Sequence, residues 1–308
     1  MKPFSTYQHM EGFPMTSRDK GEVGSKFWNI GKWENFVAPF LPDDCSELSL
    51  IDMGCNAGVF LNEAELKGFK TVIGVDSSRD AVKRGAQWRE EHGKAYQFVL
   101  SKMEDCVEDL PAVDYTILAN AHYYFTINDW LDYLDRLQTK TAYCIIVTAE
   151  KRKVNRCWAS TELDSIRSYF KTWEEVGFID GVPLLEGDPH PRKLWGLCFK
   201  SPLVDRVAVD SLDSSNHVQD QFCAELDAGK HYTETRYYKI LKPYRKNWTD
   251  EKLNNWMQER VDVYENIKKN GLRTPIIVGR NGLILDGNHR YAVMRNLGNR
   301  TILTRSVV

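Results

Sequence analysis

The run Ile51-Asp52-Met53-Gly54-Cys55-Asn56-Ala57-Gly58 constrains this chain more than any other feature. A strand-like apolar stretch, 48–53, leads into it, and an amphipathic stretch, 58–67, leaves it. Small residues at such a turn let the backbone approach a ligand closely, and the helix beyond presents N–H groups without intrahelical partners. Asp76 stands about eighteen residues after Gly58, at the end of the next strand-like run. A carboxylate there can hold two ribose hydroxyls.

The same alternation continues to about Lys200. Short apolar runs at 71–75, 96–99, 115–119 and 143–148 predict strands, with helices over 79–92 and 128–138 between them. This is the pattern of a mostly parallel sheet covered by helices. A helix over 161–176 and two β-like runs, 178–185 and 194–199, follow. Glu186-Gly187-Asp188-Pro189 reads as the turn between those runs, so the sheet ends in an antiparallel hairpin. Residues 201–234 are polar and acidic and read as a linker. Beyond them come a long helix over 250–270, a strand at 275–278, and a turn at Asn281-Gly282. A strand at 283–285, the loop Asp286-Gly287-Asn288-His289-Arg290 and a short helix from Tyr291 complete a small α+β domain, 235–308.

The first pattern resembles class I S-adenosylmethionine-dependent methyltransferases over roughly residues 1–200. The resemblance implies an α/β, Rossmann-like sheet with a terminal antiparallel hairpin, which nicotinamide-binding folds lack, and S-adenosylmethionine as cofactor. By position it implies that Asp52, Gly54, Cys55, Asn56 and Gly58 wrap the amino-acid part of the cofactor. Asp76, with Ser77 beside it, then meets the ribose, Met103 and Glu104 flank the adenine, and Asn120 joins the cofactor site. Asn56 replaces the family's middle glycine, and asparagine tolerates left-handed backbone angles better than other residues with a side chain. The segment Lys26–Trp33 resembles the N-terminal cap of small-molecule methyltransferases, which implies that Trp28 closes over the cofactor and that a lysine or Arg18 meets its carboxylate. The alternative is that Trp28, Trp33 and Phe36 simply pack.

The fourth strand ends in Leu118-Ala119-Asn120-Ala121-His122-Tyr123-Tyr124, at the rim where this fold places the acceptor. Methyl transfer from a sulfonium chiefly requires alignment of donor and acceptor. An alcohol acceptor also needs a base, and His122 is the candidate catalytic residue, whereas a carboxylate or phosphate acceptor needs none. Tyr123 and Tyr124 either shape the acceptor pocket or pack. Asn120-Ala121-His122-Tyr123 also resembles the Asn-Pro-Pro-Tyr signature of amino-methylating DNA enzymes, without its prolines.

The C-terminal segment, about 237–308, resembles the ParB/sulfiredoxin-like fold. The resemblance implies that Gly287, Asn288, His289 and Arg290 bind a nucleotide or other phosphate at a helix start, with Glu265 nearby. Asn288 stands where sulfiredoxins need cysteine, which argues against their redox activity.

Charge supports a division of labour. Residues 1–229 carry 25 Lys/Arg against 36 Asp/Glu, a balance of −11, whereas 230–308 carry 16 against 7, a balance of +9. A basic C-terminal part fits an anionic ligand. The seven cysteines (45, 55, 106, 144, 157, 198 and 223) include no Cys-x-x-Cys pair, so reduced thiols, no metal site and a cytoplasmic setting are expected. No apolar run approaches a membrane span, and the N-terminus lacks the apolar core of a signal peptide. The expected function is methyl transfer to an oxygen of a small molecule or carbohydrate, with nucleotide binding by the C-terminal domain. A nucleic-acid methyltransferase with a basic docking domain and a non-catalytic sensor of cofactor and nucleotide are the alternatives.

Overall fold

The computed structural model describes residues 30–149, 159–181, 194–212, 217–279 and 282–306. The chain divides into two compact units, Met1–Pro202 and Leu203–Val308.

In the first unit the strands are β1 (Ser49–Met53), β2 (Thr71–Asp76), β3 (Gln97–Leu100), β4 (Val113–Ala119), β5 (Thr141–Ala149), β6 (Glu174–Ile179) and β7 (Leu194–Lys200). They form one sheet in the order β3-β2-β1-β4-β5-β7-β6. The first five run parallel, while β7 lies antiparallel between β5 and β6, giving the expected hairpin. Central strands are apolar throughout because both faces are covered. In β4 every residue but the last is buried.

Helices α1 (Val59–Leu66), α2 (Arg79–Glu91), α3 (Met103–Cys106), α4 (Ile127–Leu137) and α5 (Leu163–Tyr169) connect these strands. Trp130, Tyr133, Leu134 and Leu137 recur at helical spacing and bury one face of α4. The Thr126 hydroxyl caps that helix by accepting from the Asp129 N–H. Two apolar cores result, one around Phe36, Leu61 and Ile145, the other around Ile51, Trp130 and Phe199.

The expected helix over 161–176 is corrected. It ends with α5 at Tyr169, and Glu174–Val176 already belong to β6. Trp33 and Phe36 are core residues, Trp33 lying 5.7 Å from the Phe60 ring. Trp28 and Arg18 lie outside the described residues.

The second unit is a four-stranded sheet, order β10-β9-β11-β8, from β8 (Val204–Ala208), β9 (Ile276–Val278), β10 (Ile284–Asp286) and β11 (Thr301–Ser306). Its helices are α6 (His217–Asp227), α7 (Arg236–Tyr244), α8 (Asp250–Asn270) and α9 (Asn288–Asn296). This corrects the linker reading of 201–234, since β8 pairs with β11 over five residues and Phe222 of α6 is fully buried. Asp227 ties α6 to its neighbours, accepting from Tyr264, Lys268 and Asn296. The charge contrast shrinks once the units are divided this way. The first unit has 24 Lys/Arg against 30 Asp/Glu, and the second 17 against 13.

Candidate active site

The carboxyl ends of β1, β2, β3 and β4 lie along one edge of the sheet. Strand order reverses between β1 and β4, which is where open α/β sheets place their ligands.

The loop after β1 is held against β2 by its own backbone. Gly54 and Cys55 both donate to the Val75 carbonyl, at 2.8 and 3.0 Å. The loop then turns through left-handed geometry at Asn56 (φ 51) and at Gly58 (φ 92), which caps α1. Asn56 tolerates this because its Oδ1 accepts from the Ala57 N–H at 2.9 Å. At Gly58 any side chain meets Phe98, whose Cζ would lie 2.7 Å from an added Cβ, besides the strain of positive φ.

Asp76 ends β2 and organises the site. Its two carboxylate oxygens accept from the Asn56 N–H at 2.8 Å and the Ser78 N–H at 2.7 Å. Ser101, at the end of β3, donates its N–H to the Asp76 carbonyl. Each carboxylate oxygen can accept again, so the anchored group retains capacity for ribose hydroxyls. Asp52 is fully buried in β1, and burial together with the nearby Asp76 charge pushes its carboxyl up to about 8. Burial likewise pushes the Cys55 thiol well above its ordinary range, which makes it a packing residue rather than a nucleophile.

The loop touches the segment after β4, the rim formed by Asn120–Tyr124. A Cβ on Gly54 would stand 3.1 Å from that of Ala121, next to Asn120. Asn120 adopts φ 55 and donates its N–H to Val147. A left-handed residue at a strand terminus is the kind of strain that gathers at functional sites. Of the expected site residues, the structure therefore brings together Asp52, Gly54, Cys55, Asn56, Gly58, Asp76 and Asn120. Ser77 is exposed beside Asp76, and Met103 and Glu104 open α3, half-buried. Ser78 and Ala121 were missed. The signal for Ser78 was its place as the N-cap of α2.

His122 is completely buried. Its Nε2 lies 3.2 Å from the Ser160 carbonyl, so that nitrogen is the donor and Nδ1 the basic one. The ring is enclosed by Tyr123 and Trp130 at 5.6 and 5.9 Å. Tyr124, 62% exposed, is the side chain the rim presents outward.

In the second unit, Gly287 (φ 95) caps α9, which starts at Asn288 rather than Tyr291. Arg290 is folded back. It donates to the Thr274 and Pro275 carbonyls at 3.0 and 3.1 Å and to Asp286 at 2.8 Å. His289 points inward, with Nε2 3.0 Å from the Arg260 carbonyl and its ring against Phe222. Burial lowers it to about 4, so the ring stays neutral in mild acid. Glu265 is exposed, and Asp286 takes the pairing place beside Arg290.

Among the described residues, no group of three or more His, Cys, Asp or Glu is placed to hold a metal ion, and no helix is long and apolar enough to cross a membrane.

Comparison with known proteins finds similarity in the first unit. Residues 28–180 match the profile of a family described as "Methyltransferase domain", just under half of the chain. No curated protein matches the chain significantly. Similar solved structures include TehB from Haemophilus influenzae, 15% identical with a TM-score of 0.43, covering 51% of this chain and 58% of that one. Another is magnesium protoporphyrin IX methyltransferase from Synechocystis PCC 6803, at 16% and 0.44, covering 58% and 81%. A third is the N-methyltransferase NodS from Bradyrhizobium japonicum WM9, at 12% and 0.46, covering 59% and 98%. The chain thus spans less than two thirds of TehB and most of the other two. Residues 28–180 are thus similar to a methyltransferase domain over just under half of the chain.

Proposed function

We propose that the protein transfers the methyl group of S-adenosylmethionine to an oxygen of a small molecule or carbohydrate at the Asn120–Tyr124 rim. The observation that carries this is the contact between the cofactor loop and the rim, Gly54 against Ala121, with Asp76 anchored across the loop. The loop and Asp76 hold the donor, and the sulfonium supplies the electrophilic methyl. The acidic balance of the first unit favours a compact acceptor over a phosphate polymer there.

The enclosure of His122 supports a positioning role. Its bond to Ser160 fixes the turn that presents Tyr123 and Tyr124. The acceptor oxygen then enters already ionised, as a carboxylate does, and no base is needed. The test is incubation of the full chain with methyl-labelled cofactor and pools of carboxylated small molecules, sugars and nucleic acids. Label in a base-labile methyl ester of a small acceptor is expected. Label in nucleic acid alone, or cofactor binding without transfer to any pool, overturns the reading in favour of the polymer enzyme or the sensor.

The second unit is proposed to be ParB/sulfiredoxin-like and to take a phosphate at Gly287–Arg290. Its support is the glycine-capped start of α9, whose first N–H groups lack intrahelical partners. Arg290 joins such a ligand only by exchanging Asp286 for it. Nucleoside di- and triphosphates should raise the melting temperature with concentration, and Arg290→Ala should abolish the response. An unresponsive wild type, or an unfolded Arg290→Ala, leaves Arg290 as a staple of the fold.

A further inference from the structure

The second unit carries a surface cavity of about 320 Å³ where the turn after α7 meets α8. Trp248, Thr249, Glu251, Lys252, Trp256 and Glu259 line it. Trp248 and Trp256 stand edge to face, with ring centroids 6.0 Å apart. Both indoles are only half-buried, and Tyr244 just before them is 82% exposed. Cations are held over the rings. The Arg245 guanidinium is 4.6 Å and the Lys252 ammonium 5.0 Å from the Trp248 centroid, and Arg260 lies 3.4 Å from that of Trp256.

This combination selects a ligand chemistry. Residues 236–260 contain seven Lys/Arg against three Asp/Glu, so a ligand of opposite charge is favoured. Three cations already lie against the two indoles, so a further organic cation is disfavoured. Indole faces stack on flat rings, and a cavity of this size suits a ring system of one or two cycles. The Glu251 and Glu259 carboxylates repel phosphate within the cavity but accept hydrogen bonds from exocyclic amino groups of a base. Arg245 and Lys246 are exposed on the turn leading into the cavity, outside these carboxylates, where a backbone phosphate can lie.

We infer that this face of the second unit binds single-stranded nucleic acid, with one base replacing the Arg245 guanidinium on the Trp248 ring and the released Arg245, together with Lys246, meeting the flanking phosphates. A duplex keeps its bases stacked on each other and cannot offer one to the cavity. A free nucleotide brings too little charge to use a rim that extends past the cavity. The inference is independent of the methyl-transfer reading, because it is measured without cofactor.

The experiment is fluorescence anisotropy of the full chain with a labelled mixed-sequence single strand of about 12 nucleotides, within the span of known stacking sites. Saturable binding that quenches tryptophan emission and weakens steeply with salt is expected, and the matching duplex should bind more weakly. Trp248→Ala should weaken binding about five-fold or more, and Trp248→Phe should keep most of it, because phenylalanine still stacks. Reversing both rim cations, Arg245→Glu with Lys246→Glu, should flatten the salt dependence by about 1.4 in log–log slope, at about 0.7 per phosphate contact. Circular dichroism establishes that each variant is folded. No binding by the wild type, equal binding of duplex, displacement of the labelled strand by a mononucleotide as readily as by the unlabelled strand, or a folded Trp248→Ala that binds normally overturns the inference.

Discussion

Gly85 sits in the middle of α2, where alanine ordinarily strengthens a helix by about 1 kcal/mol. Here the gain meets an obstacle. A Cβ at Gly85 would lie 2.5 Å from the Ala57 carbonyl oxygen and 2.5 Å from Cζ of Phe98. The phenylalanine ring can turn, but the carbonyl belongs to the backbone of the cofactor loop, so α2 or the loop must move. Overpacking of this kind costs about 1–3 kcal/mol, which leaves Gly85→Ala destabilised by about 1 kcal/mol net. In a unit of this size that lowers the melting temperature by roughly 2–4 °C. Because the displaced carbonyl lies between Asn56 and Gly58, S-adenosylmethionine affinity should fall several-fold as well. Thermal denaturation and calorimetric titration read the two effects. Adding Phe98→Leu removes only the ring contact, so the double variant should keep most of the affinity loss. A Gly85→Ala protein that melts higher and binds the cofactor normally would refute the packing of α2 on the loop.

Other expectations follow from buried titratable groups and from the rim. His289 is held near 4 in the folded unit and near 6.5 when unfolded, so the unfolded chain takes up its proton first as pH falls. Stability from this group is complete above about 6.5 and is lost towards pH 4, by up to about 3 kcal/mol, and His289→Gln should flatten that part of the denaturation profile. Asp52, pushed up to about 8, works in the opposite sense. The folded apoprotein holds this proton between about pH 4 and 8, so its contribution falls as pH rises, and Asp52→Asn should remove that slope in urea titrations. His122→Asn should change turnover by less than about ten-fold and leave the pH–rate profile in place. A loss of roughly 10²–10⁴ with a lost ionisation would restore His122 as the base.

The sequence made the first sheet legible because each of its parallel strands is a short apolar run bounded by turn residues. The ends of α8, Asp250–Asn270, were also readable, since Thr249 caps one end and Gly271 follows the other. The boundary between α5 and β6 was not. Glu174-Glu175-Val176 continues a helix-like polar pattern, and only pairing with β7 makes it a strand. β8 and α6 hid in a polar stretch because β8 is an edge strand with one fully buried residue, Val204, at its start. The site divides in the same way. Glycines and acids at strand ends announce themselves, whereas Arg290 and His289 are decided by tertiary partners, the Thr274, Pro275 and Arg260 carbonyls, that no local pattern names. The Trp248–Trp256 cavity depends on the turn before α8 folding Trp248 back against Trp256 on that helix.

Titration of S-adenosylmethionine into the full-length protein and its Asp76→Ala variant tests the central claim most directly. The Asp76 carboxylate braces Asn56 and Ser78 and has capacity left for ribose hydroxyls. The wild type should bind one cofactor per chain, and Asp76→Ala should weaken binding by about 1–3 kcal/mol through lost charge-assisted hydrogen bonds. Asp76→Asn, which keeps one acceptor oxygen, should fall between them. A wild type that does not bind S-adenosylmethionine, or a folded Asp76→Ala that binds it with unchanged affinity, would contradict the account.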